Sequence, residues 1–168
     1  MQTFTHAVVG VALGSLLFPE SPVLTTCLVF GSVAPDLVLV PEFIIDKLAG
    51  RVPFSGELGF MRKFFLKPSH SMVLWSLLVW LGWIISQPLW VLAIGGVLHL
   101  FIDLCSHGDP EMNRRDPPYL WPITKQKLHV GNWEYRIAVG QLWPVKPFEA
   151  FVIFVSVLVL TFKWCGGL

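Results

Sequence analysis

Five ionisable side chains lie within apolar stretches or directly beside them, where charged groups are costly and usually serve a function. They are His6, Asp36, His70, His99 and Asp103. On a helix, His99 and Asp103 would share one face with Cβ atoms about 5 to 6 Å apart, a spacing that suits two ligands of one metal ion. Imidazole combined with carboxylate predicts a divalent cofactor, zinc in the first place, with manganese or iron as alternatives.

The predicted chemistry is metal-assisted hydrolysis, in which the ion activates water and polarises a phosphoryl or carbonyl oxygen. Five donors exceed the four ligands of a closed structural zinc site, so one or two ions and a shared carboxylate fit the set. The catalytic candidates are Asp36 and Asp103, which would serve first as metal ligands and second in proton transfer.

Each residue also has a simpler interpretation. A single His or Asp at a helix end near lipid headgroups is commonly a solvated or capping residue, so the hypothesis depends on five such residues at one depth. His107 and Glu111 are also four residues apart, but Pro110 between them favours a loop over a further metal site.

A serine hydrolase is the weaker catalytic alternative. Ser69 and Ser71 flank His70 in the sequence. Immediate neighbours on a helix point apart, so a serine nucleophile would need His99 as its base instead.

The composition is that of a membrane protein. The 168 residues form one domain by length, and 54% are apolar against 14% charged. Lys and Arg number 12 and Asp and Glu 11, a net charge of +1 that excludes nucleic-acid binding as the main function. The three cysteines, Cys27, Cys105 and Cys165, are far apart and indicate neither a disulfide scaffold nor a thiolate zinc finger.

Runs of apolar residues predict an all-α integral membrane protein with about five transmembrane helices in a single membrane domain, residues 1–168. The predicted spans are residues 7–18, 22–40, 71–86, 88–105 and 148–164. In the first span, Gly10 and Gly14 have the spacing that lets a second helix approach closely, although a helix that is glycine-rich by chance is an equal alternative.

The two long connections, residues 41–70 and 106–147, contain eleven of the twelve Lys and Arg residues. The positive-inside rule therefore places both loops and the N-terminus in the cytoplasm, with the protein in the inner membrane and lipids as its partners. All five candidate ligands then fall toward the cytoplasmic face. Within the second connection, residues 127–139 alternate around Gly131 and Asn132 and predict a small β-hairpin.

Five motifs carry a family resemblance: THAVVGVALG, GSVAPDL, PSHSMVLW, HLFIDLCSHG and YLWPIT. Together they resemble the LexA-regulated, membrane-bound metal-dependent hydrolase family over residues 6 to about 122. The resemblance implies the same five metal-site residues. This sequence departs from the family where Phe65, Leu66 and Lys67 stand in place of a His-Arg-Gly segment, and where Ser106 stands in place of a threonine.

That family is in turn distantly similar to zinc-dependent phospholipase C. This second resemblance implies that one ion is held by a set of four residues, Asp36, His70, His99 and Asp103. It implies that His6 holds a second ion with a bridging Asp103.

The resulting hypothesis is a hydrolase of a phosphoester, such as a lipid headgroup, at the cytoplasmic membrane surface. The alternative is a metal-binding membrane protein without catalysis, with a structural, stress-response or transport role. Transport is disfavoured because the ligands lie at one edge of the membrane and the sequence has no internal repeat. A helical scaffold without metal would leave the five residues dispersed. The sequence does not determine the oligomeric state.

Overall fold

The structure, a computed structural model, describes residues 3–50, 60–106, 119–124 and 147–165, and the regular secondary structure in these ranges is entirely α-helical. The seven helices are α1 (Thr3–Leu17), α2 (Pro22–Leu37), α3 (Val40–Leu48), α4 (Phe60–Ser69), α5 (Met72–Ile85), α6 (Gln87–Ser106) and α7 (Pro147–Trp164). The predicted all-α class is thus confirmed for the described residues. The predicted hairpin and the pair His107 and Glu111 lie outside them.

Serine side chains set the starts of two helices. The Ser21 hydroxyl accepts a hydrogen bond from the Leu24 backbone N–H at 3.3 Å, and Pro22 occupies the first helical position of α2. The Ser71 hydroxyl accepts from Leu74 N–H at 3.2 Å and begins α5 in the same way. These caps therefore determine the residues at which α2 and α5 begin, each directly after a short turn.

Five apolar helices occupy the predicted spans: α1, α2, α5, α6 and α7. Among the described residues, α6 alone is long and apolar enough to cross a membrane, through Gln87–Cys105 with a mean hydropathy of 1.9. The others are shorter apolar helices, and α2 ends at Leu37 rather than at the predicted residue 40. Five transmembrane helices therefore remain a prediction.

The segment 41–70, predicted as a polar loop, contains most of α3 and all of α4. Pro41 does not break α3, because it lies in the first turn, where a missing N–H costs nothing. Both helices are amphipathic, which a scan for long apolar runs does not detect.

Helix α2 lies between α1 and α6, α5 packs on α6, and α7 packs on α1. Glycines allow these close approaches. A Cβ atom added to Gly31 of α2 would lie 1.9 Å from the Leu92 carbonyl oxygen of α6, and one added to Gly95 would lie 2.4 Å from the Leu28 carbonyl oxygen. The predicted close approach at Gly10 and Gly14 is confirmed, because both glycines face α2.

Two further contacts close the bundle. The turn at residues 119–124 is attached to the start of α5, where Tyr119 is buried, its carbonyl oxygen accepts from Met72 N–H at 2.8 Å, and the Ser71 hydroxyl donates to the Trp121 carbonyl. At the other end of the bundle, the Lys163 ammonium of α7 donates to the Ser15 carbonyl in the last turn of α1. A cation is favourable at a helix C-terminus. The contact therefore stabilises the packing of α7 on α1.

Candidate metal centre

The fold brings the five predicted site residues together at one end of the bundle. His6 lies in the first two turns of α1, Asp36 in the last turn of α2, and His70 in the turn between α4 and α5. His99 and Asp103 lie four residues apart toward the end of α6. Of these residues, His6 and His99 have no solvent exposure, and Asp103 and His70 are 4% and 5% exposed.

Two carboxylates contact three imidazoles in this cluster. Asp36 Oδ1 lies 3.6 Å from His70 Nε2 and 3.7 Å from His99 Nε2. Asp103 Oδ2 lies 3.2 Å from His99 Nε2, while its Oδ1 lies 3.0 Å from His6 Nε2. The His6 and His99 rings are stacked with centroids 3.7 Å apart.

Two sets of three residues have donor atoms within 4.8 Å of one another. One set is His6, Asp36 and His99, and the other is His70, His99 and Asp103. His99 belongs to both sets. Nitrogen and carboxylate donors at such separations are those that zinc, iron and manganese accept in proteins.

The protonation of His99 follows from its backbone contact. Its Nδ1 lies 2.8 Å from the Ser32 carbonyl oxygen, which can only accept, so Nδ1 carries the hydrogen in the neutral ring. Nε2 then presents a lone pair, is buried, and has no hydrogen-bond partner in the described part of the chain. In the neutral ring, a lone pair facing two carboxylate oxygens is repulsive, and either a proton or a metal ion between these atoms relieves the repulsion; the donor set therefore fits a metal ion.

His70 is oriented by a serine hydroxyl. Ser69 Oγ lies 3.1 Å from the Leu66 carbonyl oxygen, to which it donates its single hydrogen. The same oxygen lies 3.0 Å from His70 Nδ1 and therefore accepts from that nitrogen. In the neutral ring, His70 Nε2 is therefore the nitrogen with the lone pair, and it lies toward Asp36.

His6 and Asp36 have supporting contacts of their own. His6 Nε2 donates to Asp103, which leaves its buried Nδ1 without a partner among the described residues. The Thr3 hydroxyl donates to Asp36 Oδ2 at 2.7 Å, so the other oxygen of that carboxylate faces the imidazoles. Ser32 Oγ lies 3.1 Å from the His6 carbonyl oxygen and connects α1 to α2 below the cluster.

Three of these supporting residues were missed in the sequence: Thr3, Ser32 and Ser69. The expectation that Ser69 and His70 point apart was wrong, because α4 ends at Ser69 and His70 lies in a turn, where helical spacing no longer applies. Ser32 contacts His99 through its backbone carbonyl, a group that every residue type has, so a pattern of side chains cannot indicate this contact.

The comparisons with known proteins identify a family. The chain matches the YdjM inner membrane protein family over residues 1–167. The chain belongs to the YdjM family. No curated protein and no solved structure matches it. YdjM membership supports the inner membrane location, whereas regulation by LexA, the similarity to phospholipase C, the hydrolase activity and the cytoplasmic N-terminus stay predictions.

The contact between Ser69 and His70 in this YdjM-family chain leads to a first expected result. Replacing Ser69 by alanine should weaken zinc binding by about 10- to 100-fold, because the hydroxyl that fixes the His70 ring is lost. Competition with a chromophoric zinc chelator measures the affinity. Ser86→Ala is the matched control, because Ser86 is an exposed residue at the far end of α5. Equal affinities of the two variants would show that Ser69 does not orient a ligand.

Proposed function

We propose that this YdjM-family protein is a membrane-embedded, metal-dependent hydrolase that cleaves a phosphoester at the cytoplasmic surface of the inner membrane. The observation that carries the proposal is the buried His99 Nε2, which has no hydrogen-bond partner among the described residues and lies 3.2 and 3.7 Å from oxygens of two carboxylates. A purely structural histidine at this depth would be expected to use both ring nitrogens in hydrogen bonds.

In the proposed topology, α1, α2, α5, α6 and α7 cross the membrane, and the N-terminus and both long connections are cytoplasmic. The distribution of Lys and Arg supports this orientation. His6, Asp36, His70 and the end of α6 then share the cytoplasmic side of the bundle. A site at that depth meets the phosphates of lipids without extracting them from the bilayer.

The residues of the chain have distinct tasks in this proposal. An ion would be held either by His70, His99 and Asp103 or by His6, Asp36 and His99. Because His99 Nε2 has a single lone pair, it would bind one ion, and a second ion would have to use the remaining residues. A bound divalent ion would supply Lewis-acid polarisation of a phosphoryl oxygen and would lower the pKa of a bound water to near neutral. The Asp36 side chain is 15% exposed, against 6% for Asp103. Asp36 is therefore the carboxylate that meets substrate and accepts a proton from water.

A metal-binding protein without catalysis is the second candidate. The complete burial of His6 and His99 favours it, because a site closed on all sides retains its ion and excludes substrate. The two candidates differ in one property. A hydrolase keeps a coordination position for exchangeable water, and a structural site does not.

The test is elemental analysis of the detergent-purified protein followed by phosphodiester assays. We expect about one or two zinc or manganese ions per chain and hydrolysis that stops with a chelator and returns with the metal. The matched variant is Asp36→Asn. It should retain an ion bound by His70, His99 and Asp103 and should lose most of the hydrolysis. Bound metal without hydrolysis of any phosphoester would favour the second candidate, and no bound metal after reconstitution would contradict both.

A further inference from the structure

Helix α4 has an apolar face that is largely exposed. Phe64 is 66% exposed and Phe65 45% exposed, and the helix makes only sparse contacts with α2 and α3. In the sequence, Phe60 and Met61 precede these two residues by one helical turn, so the four positions share one face of the helix. With ten residues, α4 is too short to cross a bilayer.

The charge of α4 indicates what covers this face. The sequence of the helix contains Arg62, Lys63 and Lys67 and no acidic residue. A short helix with an apolar face and several cations has the composition of helices that lie in the interface of an anionic membrane. A soluble partner would have to offer an apolar and acidic surface, whereas the inner membrane offers both properties beside the bundle.

Helix α4 is also connected directly to the candidate metal centre. His70 follows its last residue, and the His70 N–H donates to the Leu66 carbonyl at 3.0 Å. His70 Nε2 in turn lies 3.6 Å from Asp36 Oδ1, and the Asp36 side chain is the most exposed of the five in the cluster. The open edge of the site therefore lies where α4 ends.

We propose that α4 is a docking surface for anionic lipid of the cytoplasmic leaflet, with Phe64 and Phe65 in the boundary between headgroups and acyl chains. Lipid phosphates reach the edge of the site at Asp36 along this helix. This second half rests on the proposed hydrolase function and specifies its preferred substrate class: a phosphoester carried by a membrane lipid.

The docking surface is tested without reference to activity. A spin label is placed at position 64 of the full-length chain after its three cysteines are changed to alanine, and the protein is reconstituted in vesicles containing phosphatidylglycerol. We expect the label to be more accessible to oxygen than to an aqueous nickel complex, with a depth between those of reference labels at Leu77 of α5 and at Glu20 in the α1–α2 turn. Accessibility to nickel equal to that at Glu20 would overturn the proposal.

Photocrosslinking provides a second measurement that keeps the native cysteines. With p-benzoylphenylalanine at position 64, we expect adducts with lipid acyl chains in mass spectra. Adducts with a second copy of the chain, or with a soluble protein in membranes isolated from cells, would overturn the lipid assignment.

The substrate class is tested with the double variant Phe64→Ser and Phe65→Ser. The matched control is Phe151→Ser and Phe154→Ser, because these α7 residues are 63% and 62% exposed and lie on a helix without a site residue. We expect the α4 variant alone to raise the KM for a vesicle-borne phospholipid by about tenfold while hydrolysis of a soluble phosphodiester is unchanged. Equal loss on both substrates would overturn the proposed lipid route. No hydrolysis by the unmodified chain would refute the hydrolase function, while the label depth still decides the docking surface.

Discussion

Replacing His99 by alanine is expected to remove the bound metal and to lower phosphodiester hydrolysis on the order of a thousandfold. His99 is common to both sets of close donor atoms found in the described part of the chain, so neither set is complete after its loss. The magnitude follows from the several kcal/mol that a bound metal ion supplies to a hydrolytic transition state. Elemental analysis and initial rates, measured on the same detergent preparation, check both parts.

Ser156→Ala is the control for this prediction, because Ser156 is a buried polar residue of α7, which holds none of the five site residues. It should keep both metal and activity. The comparison also requires that His99→Ala retains the helical circular dichroism of the unmodified chain. Stoichiometric metal in a folded His99→Ala protein would contradict the assignment of His99 as a shared ligand.

A single methyl group at Gly31 is expected to destabilise the protein by roughly 2 to 3 kcal/mol, because overpacking against backbone cannot be relieved by a side-chain rotation. The added Cβ would lie 1.9 Å from the Leu92 carbonyl oxygen, so α2 and α6 must separate. Alanine's better helix propensity offsets about 1 kcal/mol at most. Denaturant unfolding in detergent micelles measures the free energy.

Gly14→Ala is the matched control for this crossing. Its nearest neighbours would be the Thr25 Cγ2 methyl at 2.9 Å and the Thr25 Cα atom at 3.1 Å, so α1 and α2 need to shift by only a few tenths of an ångström. We expect a change of less than about 1 kcal/mol. The Gly31→Ala protein should also bind metal more weakly, because Ser32 and His99 lie on the two helices that are forced apart. Equal stability of the two variants would show that the crossing of α2 and α6 is looser than the structure indicates.

The residues of the candidate centre could be selected from the sequence because each combines an ionisable side chain with an apolar surrounding. The spacing of His99 and Asp103 predicted that both lie on one helical face. In the structure, His99 Nε2 lies 3.2 Å from Asp103 Oδ2. The contact of Ser32 with His99 could not be predicted, because it joins residues 67 positions apart through a backbone carbonyl. Such contacts depend on the crossing of α2 and α6, which local patterns do not define.

The helix crossings were predictable only in part. Gly10 and Gly14 have a recognisable spacing, and both face α2. Gly31 has no glycine partner at that spacing within its own helix, and its counterpart Gly95 comes from α6. The close crossing of α2 and α6 therefore has no local sequence signature. The prediction for residues 41–70 failed for a related reason: short amphipathic helices have neither the length of a span nor the polarity of a loop.

The attachment of α7 to α1 has a consequence for how the protein is made. All five residues of the candidate centre precede α7 in the chain, and the Lys163 contact with Ser15 comes from the last turn of that helix. Because synthesis proceeds from the N-terminus, the ligand-bearing helices leave the ribosome first and α7 joins them last. The five side chains of the candidate centre can therefore come together before α7 is made, and α7 then packs on α1.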